Sequence, residues 1–260
     1  MKADFDIAAP NYDAIFTNST IGRMQRDRVW TYLENEFSNQ PLRILELNCG
    51  TGIDALFLAK MGHHVLATDI SAEMVHITKN KIKRAKLEHL IEVRQLDIKS
   101  INSNTFDDAF DLVFSDFGGL NCLDNKELSA LASMIANILS PTGRIIAVVM
   151  PSYNLMESMY CFLKLEWRKI FRRKTSSTKG LRVNVDGVDV PTWYYSSSQF
   201  GMIFQNEFSI KNIRAIGFLP SYFENLVHRI PFLLKIDTFL SRYGAFANIS
   251  DHYLIDLKKK

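Results

Sequence analysis

The chain has 260 residues, 47% hydrophobic and 23% charged, with a net charge of +3. That is enough chain to bury a real core as one large α/β domain or one domain with a substantial insertion, and the balance is too mildly basic for a dedicated nucleic-acid binder. Three scattered cysteines, Cys49, Cys122 and Cys161, argue against a disulfide framework or a cysteine metal site and for a reducing, cytoplasmic setting; no apolar run is long enough to span a bilayer.

From the N-terminus, "MKADFDIAAPNYD" lacks the apolar segment of a signal peptide, and "APNYDAIFTNSTIGRMQRDRVW" leads into a helix. "LRILEL" (42–47) reads as a buried strand and "GIDALFLAKMG" (52–62) as a helix. "HVLATDI" (64–70) is a second strand, followed by an amphipathic helix over 71–86 with Ser71 as its N-cap. Strands follow at 89–98 and 109–117, a helix at 125–139 that stops before Pro141, and a fifth strand at 143–150. This alternation predicts a parallel sheet with right-handed crossovers. After Pro151 the pattern changes. It predicts a long aromatic-rich helix over 152–172, two short strands turning near Asp186-Gly187, and a capped helix in "SSSQFGMIFQNE". Strands at 208–218 and 251–258 flank an inserted helical stretch. The expected fold class is α/β: a Rossmann-like, doubly wound seven-stranded sheet, mostly parallel with the last strand antiparallel, carrying helical and hairpin insertions. The expected organisation is a helical cap (1–40), a cofactor-binding core (41–150), and a completing part with acceptor-binding insertions (151–260).

The most informative stretch is Asn48-Cys49-Gly50-Thr51-Gly52, between the first strand and the first core helix. A strand end, a small-residue loop and a helix N-terminus form a ligand site, because backbone N–H groups point outward where the helix dipole is positive. Asn48 is the non-glycine residue that best tolerates left-handed backbone. Glu46 ends the preceding strand. A carboxylate there would repel a pyrophosphate, so the loop favours a ligand with positive charge over a dinucleotide. Cys49, with no base beside it in sequence, reads as a small loop residue rather than a nucleophile.

"ILELNCGTG", "ATDIS", "RQLDI" and "DLVFSDFGGLNC", in that order and spacing, resemble the motif series of the class I S-adenosylmethionine-dependent methyltransferases, the small-molecule type included. The resemblance covers about residues 8–150 well and the last strands loosely. It implies S-adenosylmethionine as cofactor and S-adenosylhomocysteine as product. Glu46, Asn48, Cys49, Gly50 and Gly52 would line its methionine end, with Tyr12 near the methionine carboxylate and Arg23 as that carboxylate's ionic partner. Asp69 would hold the ribose hydroxyls, and Ile70 and Met74 would pack on the adenine. Asp97 would bind the adenine amino group beside Ile98, and Ser115, Asp116 and Phe117 would flank the methyl-donating centre. Arg26 and Arg28 read as a solvated helix face.

In-line methyl transfer needs mainly alignment and exclusion of water, with a base where the acceptor is a hydroxyl. No metal cluster is expected. No "DPPY"- or "NPPF"-like run follows the fourth strand, which argues against methylation of nucleobase amino groups or protein glutamine. Residues 151–260 hold 19 of the 30 aromatic residues and 16 basic against 9 acidic residues, whereas residues 1–150 hold 15 basic against 19 acidic. An aromatic surplus suits a small lipophilic or aromatic acceptor, with O-methylation slightly favoured. Candidate catalytic residues are His228, Asn121 and Tyr194, with Tyr195, Tyr222 and His252 as further polar candidates. The alternatives are a macromolecular acceptor such as RNA or protein and a non-catalytic cofactor-binding module. Nucleic acid is the less favoured partner, and peripheral membrane contact is permitted by the basic second half.

Overall fold

Alternating side chains on the first strands face two different layers, and that pattern builds the sheet. The computed structural model describes residues 4–102, 104–175, 180–185, 187–220 and 223–260. Strands β1 (Arg43–Leu47), β2 (His64–Asp69), β3 (Ile91–Gln95), β4 (Phe110–Ser115) and β5 (Leu139–Val149) pair in parallel. They are separated by helices α3 (Ile53–Lys60), α4 (Ala72–Ala85) and α5 (Asn125–Ile138). The order across the sheet is β3-β2-β1-β4-β5-β9-β8. β9 (His252–Lys259) runs antiparallel to both β5 and the edge strand β8 (Phe208–Gly217). The last strand in sequence is thus inserted beside the outermost one.

Leu45, Leu47, Val113 and Ile145 face one layer with Leu128, Leu131 and Ile135 of α5. Phe200 and Phe204 of α7 (Ser197–Phe204) join the same cluster. Ile44, Val65, Leu112 and Ile146 face the opposite layer with Val29 and Leu33 of α2 (Thr20–Phe37), Leu58 of α3 and Ile82 of α4. Each such fully buried side chain contributes about 1.5–3 kcal/mol against exposure. The edge strand β3 is shorter than the predicted 89–98, and Glu92, Arg94 and Gln95 on it are exposed, which protects an open edge.

The helices begin where the sequence supplies caps. Ser19 accepts from the Gly22 N–H, Ser71 from Met74, and Asp124 with Glu127 forms a capping box. The N-terminal segment holds a short helix α1 (Ala9–Tyr12) and a wide turn (Asp13–Thr17) before α2. The predicted long helix over 152–172 is corrected. α6 spans only Leu155–Leu163, Leu165 takes a left-handed backbone (φ 59°), and two 3-10 turns (Trp167–Lys169 and Arg172–Thr175) follow. Residues 162 to 169 are all exposed, so no buried stripe sustains a helix there. The predicted hairpin is present as β6 (Leu181–Val185) and β7 (Val188–Thr192). Asp186 of its turn lies outside the described residues. α8 (Glu224–Arg229) and α9 (Phe232–Leu240), broken at Pro231, lie between β8 and β9. No described helix is long and apolar enough to cross a membrane.

Candidate active site

β1 lies between β2 and β4, where the strand order reverses, so the crossovers on its two sides cover opposite faces and a crevice opens at the carboxyl ends between β1 and β4. Asn48 takes the left-handed backbone expected of it (φ 49°), followed by Gly50 and Gly52 (φ 54° and 77°). Gly52 packs so closely on Thr78 that a Cβ would stand 2.4 Å from its methyl, which fixes glycine where α3 begins. The Asn48 side chain crosses the crevice: its Nδ2 donates to the Asp116 carbonyl at 2.9 Å, and its Oδ1 accepts from Ser115 Oγ at 2.7 Å. Phe117 is also left-handed (φ 43°). Two non-glycine residues in sparsely populated backbone thus face each other across the crevice, where such strain marks functional sites.

Below this loop the charges are crowded. Glu46 is buried, and its Oε2 has no hydrogen-bond partner among the described residues. Burial, reinforced by Asp54 and Asp116, pushes its carboxyl well above the usual range. Burial and Asp54 push Asp116 up too, against the pull of Arg26. Arg26 is ion-paired to Asp54, lies 3.6 Å from Asp116 Oδ2, and rests 4.8 Å over the Phe117 ring. Trp30 Nε1 donates to the other Asp54 oxygen at 2.7 Å. Asp69 accepts from the backbone N–H groups of Gly50 and Ser71, both at 2.9 Å. Burial raises it to about 6 despite those bonds. Its carboxylate is therefore held rigidly at the β2 end, beside the exposed Ile70 side chain.

The N-terminal segment closes over the loop. Tyr12 lies 4.0 Å from the point where a Gly50 Cβ would stand, and burial raises its hydroxyl to about 12. Asp13 accepts from Thr51 Oγ1 at 2.6 Å and pairs with Lys81, and Asp6 accepts from Ser71 Oγ at 2.5 Å. Phe16 meets Phe117 edge-on at 5.0 Å.

The expectations for the arginines of α2 need correction. Arg23 is exposed, and Arg26, expected in solvent, is the arginine buried at the site. Arg26 lies at helical steps from Gly22, Val29 and Leu33, which are buried with it, so the signal was present in the period of α2. Arg28 is not solvated either: it is ion-paired with buried Asp237 at 2.5 Å. Met74 is a core residue, 2% exposed. Asp97 caps the following 3-10 turn by accepting from Lys99 N–H at 2.9 Å, and Ile98 packs half-buried against the core. Cys49 is buried, and burial with nearby Glu46 and Asp69 holds its thiol protonated, so it has no nucleophilic character.

The catalytic candidates separate. Asn121 is fully buried and used up as a clamp: its Nδ2 donates to the Met150 and Trp193 carbonyls, and its Oδ1 accepts from Met150 N–H. His228 lies on the exposed face of α8, paired with Glu224 at 3.3 Å. Tyr195 donates to the Leu123 carbonyl at 2.6 Å. Tyr222 lies outside the described residues. Tyr194 lines a cleft of about 600 Å³ with Trp193, Arg173, Ser152 and Gln199, and the Arg173 guanidinium lies 5.0 Å over its ring.

His252 is the histidine at the crevice. It opens β9, is 8% exposed, and sets its ring edge-on to Phe117 at 5.4 Å. Its Nδ1 stands 3.1 Å from Asp251 Oδ2. Asp251 in turn accepts from Asn154 at 2.9 Å and from Arg173 at 3.1 Å. Burial raises the Asp251 carboxyl, but His252 and Arg173 outweigh that and hold it well below the usual range. Nothing in the local sequence of 249–253 announces this hub, because its partners come from α2, α6 and the turn after it. No cluster of three or more metal-ligating side chains gathers among the described residues.

Residues 44–143 match the family described as a methyltransferase domain. The cypemycin N-terminal methyltransferase of Streptomyces is 32% identical over 110 residues, 41% of this chain and 42% of that protein. The demethylmenaquinone methyltransferase of Clavibacter sepedonicus is 28% identical over 149 residues, 56% of each chain. The chain thus spans about half the length of the curated relatives it matches. Among solved structures, the magnesium protoporphyrin IX methyltransferase of Synechocystis, with bound S-adenosylhomocysteine, shares the fold. Its TM-score is 0.60 at 16% identity, covering 92% of this chain and 84% of that one.

Proposed function

We propose, from the match of residues 44–143 to a methyltransferase domain and the shared fold, that this chain is a class I S-adenosylmethionine-dependent methyltransferase that methylates a small, lipophilic or aromatic acceptor, at oxygen by preference. The observation that carries the reading is the buried Glu46 carboxylate, whose unpartnered oxygen sits beneath the glycine loop among three further carboxylates and one arginine. Such a site has an excess of negative charge that a cationic group relieves, and this fits the ammonium of S-adenosylmethionine better than a pyrophosphate. When bound, the cofactor supplies a methyl group activated by its sulfonium.

The chain's own residues do the rest. Glu46 and the N–H groups of the loop hold the amino-acid end. Asp69, fixed by Gly50 and Ser71, accepts from ribose hydroxyls, and Ile70 offers an apolar face. Tyr12 and Phe16, on the helical cap of residues 1–40, cover the loop and exclude water. His252 is the proposed base: with Nδ1 beside Asp251, its Nε2 is left for an acceptor hydroxyl near Phe117. Tyr194 and Trp193 supply an aromatic wall in the cleft above β5. The acceptor class is supported by these aromatic linings and by the similarity to the demethylmenaquinone methyltransferase. The few, scattered cysteines of the sequence support a reducing cytoplasmic setting.

Calorimetric titration tests the cofactor: S-adenosylmethionine and S-adenosylhomocysteine should bind, and binding of a nicotinamide dinucleotide in their place would sink the reading. Incubation of the chain and labelled cofactor with a metabolite extract, followed by mass spectrometry, should show a small molecule gaining one methyl group. Label found only in RNA or protein would transfer the assignment to a macromolecular acceptor.

A further inference from the structure

We propose that the C-terminal end of α6 with the segment after it and the outer face of α8–α9 form one surface that docks the protein onto an anionic lipid bilayer. The docking needs neither cofactor nor acceptor, so it stands apart from the methyl-transfer reading. Phe162, Leu163, Leu165, Trp167 and Phe171 are all more than half exposed, with Leu163 at 76% and Leu165 at 71%. A surface this apolar needs a partner. Phe162 and Trp167 hold each other edge-on at 4.9 Å, so the aromatic pair is presented as a unit.

The second element repeats the arrangement independently. Phe232, Ile236, Phe239 and Tyr243 are exposed at helical steps of four, three and four. The opposite side of α9 is anchored inward through Leu233, Leu234 and buried Asp237. α9 therefore has an apolar stripe facing out as well as one facing in. The two elements adjoin: Met156 of α6 joins the cluster of Phe223, Val227 and Leu233, and Tyr160 meets Phe223 edge-on at 5.3 Å.

Charge selects the occupant. Lys164, Arg168 and Lys169 are exposed among the first group, and Arg229, Lys235 and Arg242 among the second. Glu166 is the exposed acid within 162–174, and it is paired with Lys169 at 3.0 Å. Aromatic and aliphatic side chains interleaved with cations are the composition of helices that lie in a bilayer interface. A second copy of this chain packed face to face would oppose like charges. The surface also lies near the site. β8 ends and β9 begins at the edge where β1, β4 and β5 end, so both insertions rise from the edge that carries Phe117 and His252.

The test is sedimentation of the full chain with phosphatidylcholine vesicles, with and without phosphatidylglycerol. Binding should be strong with the anionic lipid, weak without it, and reduced by salt. The double variant Leu163→Glu/Leu165→Glu should lose binding at least tenfold, and K164E/R168E/K169E should abolish the preference for phosphatidylglycerol. Both sets lie on exposed positions, so circular dichroism and cofactor affinity should stay unchanged. Failure to bind either vesicle overturns the proposal, as does binding that both variants leave intact. A concentration-dependent dimer that Leu163→Glu dissociates also overturns it, by assigning the face to a second copy.

Discussion

Two buried charge clusters stand near the same crevice and behave in opposite ways. Around Glu46 the acids outnumber the bases: Arg26 pairs with Asp54 and Asp116 while Glu46 and Asp69 stand nearby, one oxygen each of Glu46 and Asp116 has no hydrogen-bond partner among the described residues, and three of the carboxyls are pushed up. Around Asp251 the charges are matched. Arg173 bridges Asp251 and Glu157, Asn154 and Gln25 add donors, and the Asp251 carboxyl is pushed down. A satisfied buried network holds a structure together, whereas crowded, under-partnered carboxylates favour a nearby cationic group.

The strongest challenge to this contrast falls where the two clusters meet. His252→Asn should lower kcat about 10²–10⁴-fold, the range for loss of a general base, with little change in cofactor affinity by calorimetry; undiminished turnover would remove His252 as the base. Next, Asp251→Ala should destabilise the fold by about 3–5 kcal/mol, because it leaves Arg173 buried with half its charge unpaired, read as a lower midpoint in chemical denaturation. Glu46→Gln should do the reverse: thermal stability is kept or raised while S-adenosylmethionine binding weakens. In the third place, Asp69→Ala should weaken cofactor binding at least tenfold, for a charge-assisted contact of about 1.5–3 kcal/mol.

The two clusters should also differ in their response to pH. The folded value of Asp69 is raised to about 6, so the stability linked to its protonation is present at low pH and lost as pH rises through 6. In the proposed ribose-binding role the hydroxyls would donate to the ionised form of Asp69, so cofactor affinity should fall by up to about tenfold per unit as pH drops below 6, and Asp69→Asn should flatten that profile. Asp251 is held low, so its stabilisation is present above about pH 4 and is lost only as pH falls further, through its depressed folded value. The smallest effect belongs to Arg23→Ala, which should change stability and affinity by no more than about 0.5 kcal/mol; Arg26→Ala should clearly weaken cofactor binding.

The first cluster was mostly legible because its parts are local. Glu46, Asn48, Gly50 and Gly52 lie within seven residues, and Asp69 and Asp116 lie at the ends of the two strands that flank β1, whose alternation is written in the chain. Arg26 was misplaced in solvent although its helical phase with Val29 and Leu33 was readable, since charge alone is a poor guide to burial. The second cluster was illegible for a different reason. Asp251 meets Arg173 across 78 positions and Asn154 across 97, whereas the candidate His228 turns outward to Glu224.

What the sequence by itself determined is the sheet's alternation, the left-handed turn at Asn48, the glycine loop and its acid neighbours, because each rests on backbone preferences and spacing over a few residues. The tertiary structure alone decided that Arg26 meets Asp54 and Asp116, that Asn121 is a clamp, that His252 faces Phe117, and that α9 turns a second apolar stripe outward. Those outcomes depend on which distant surfaces meet, and no local pattern carries that information.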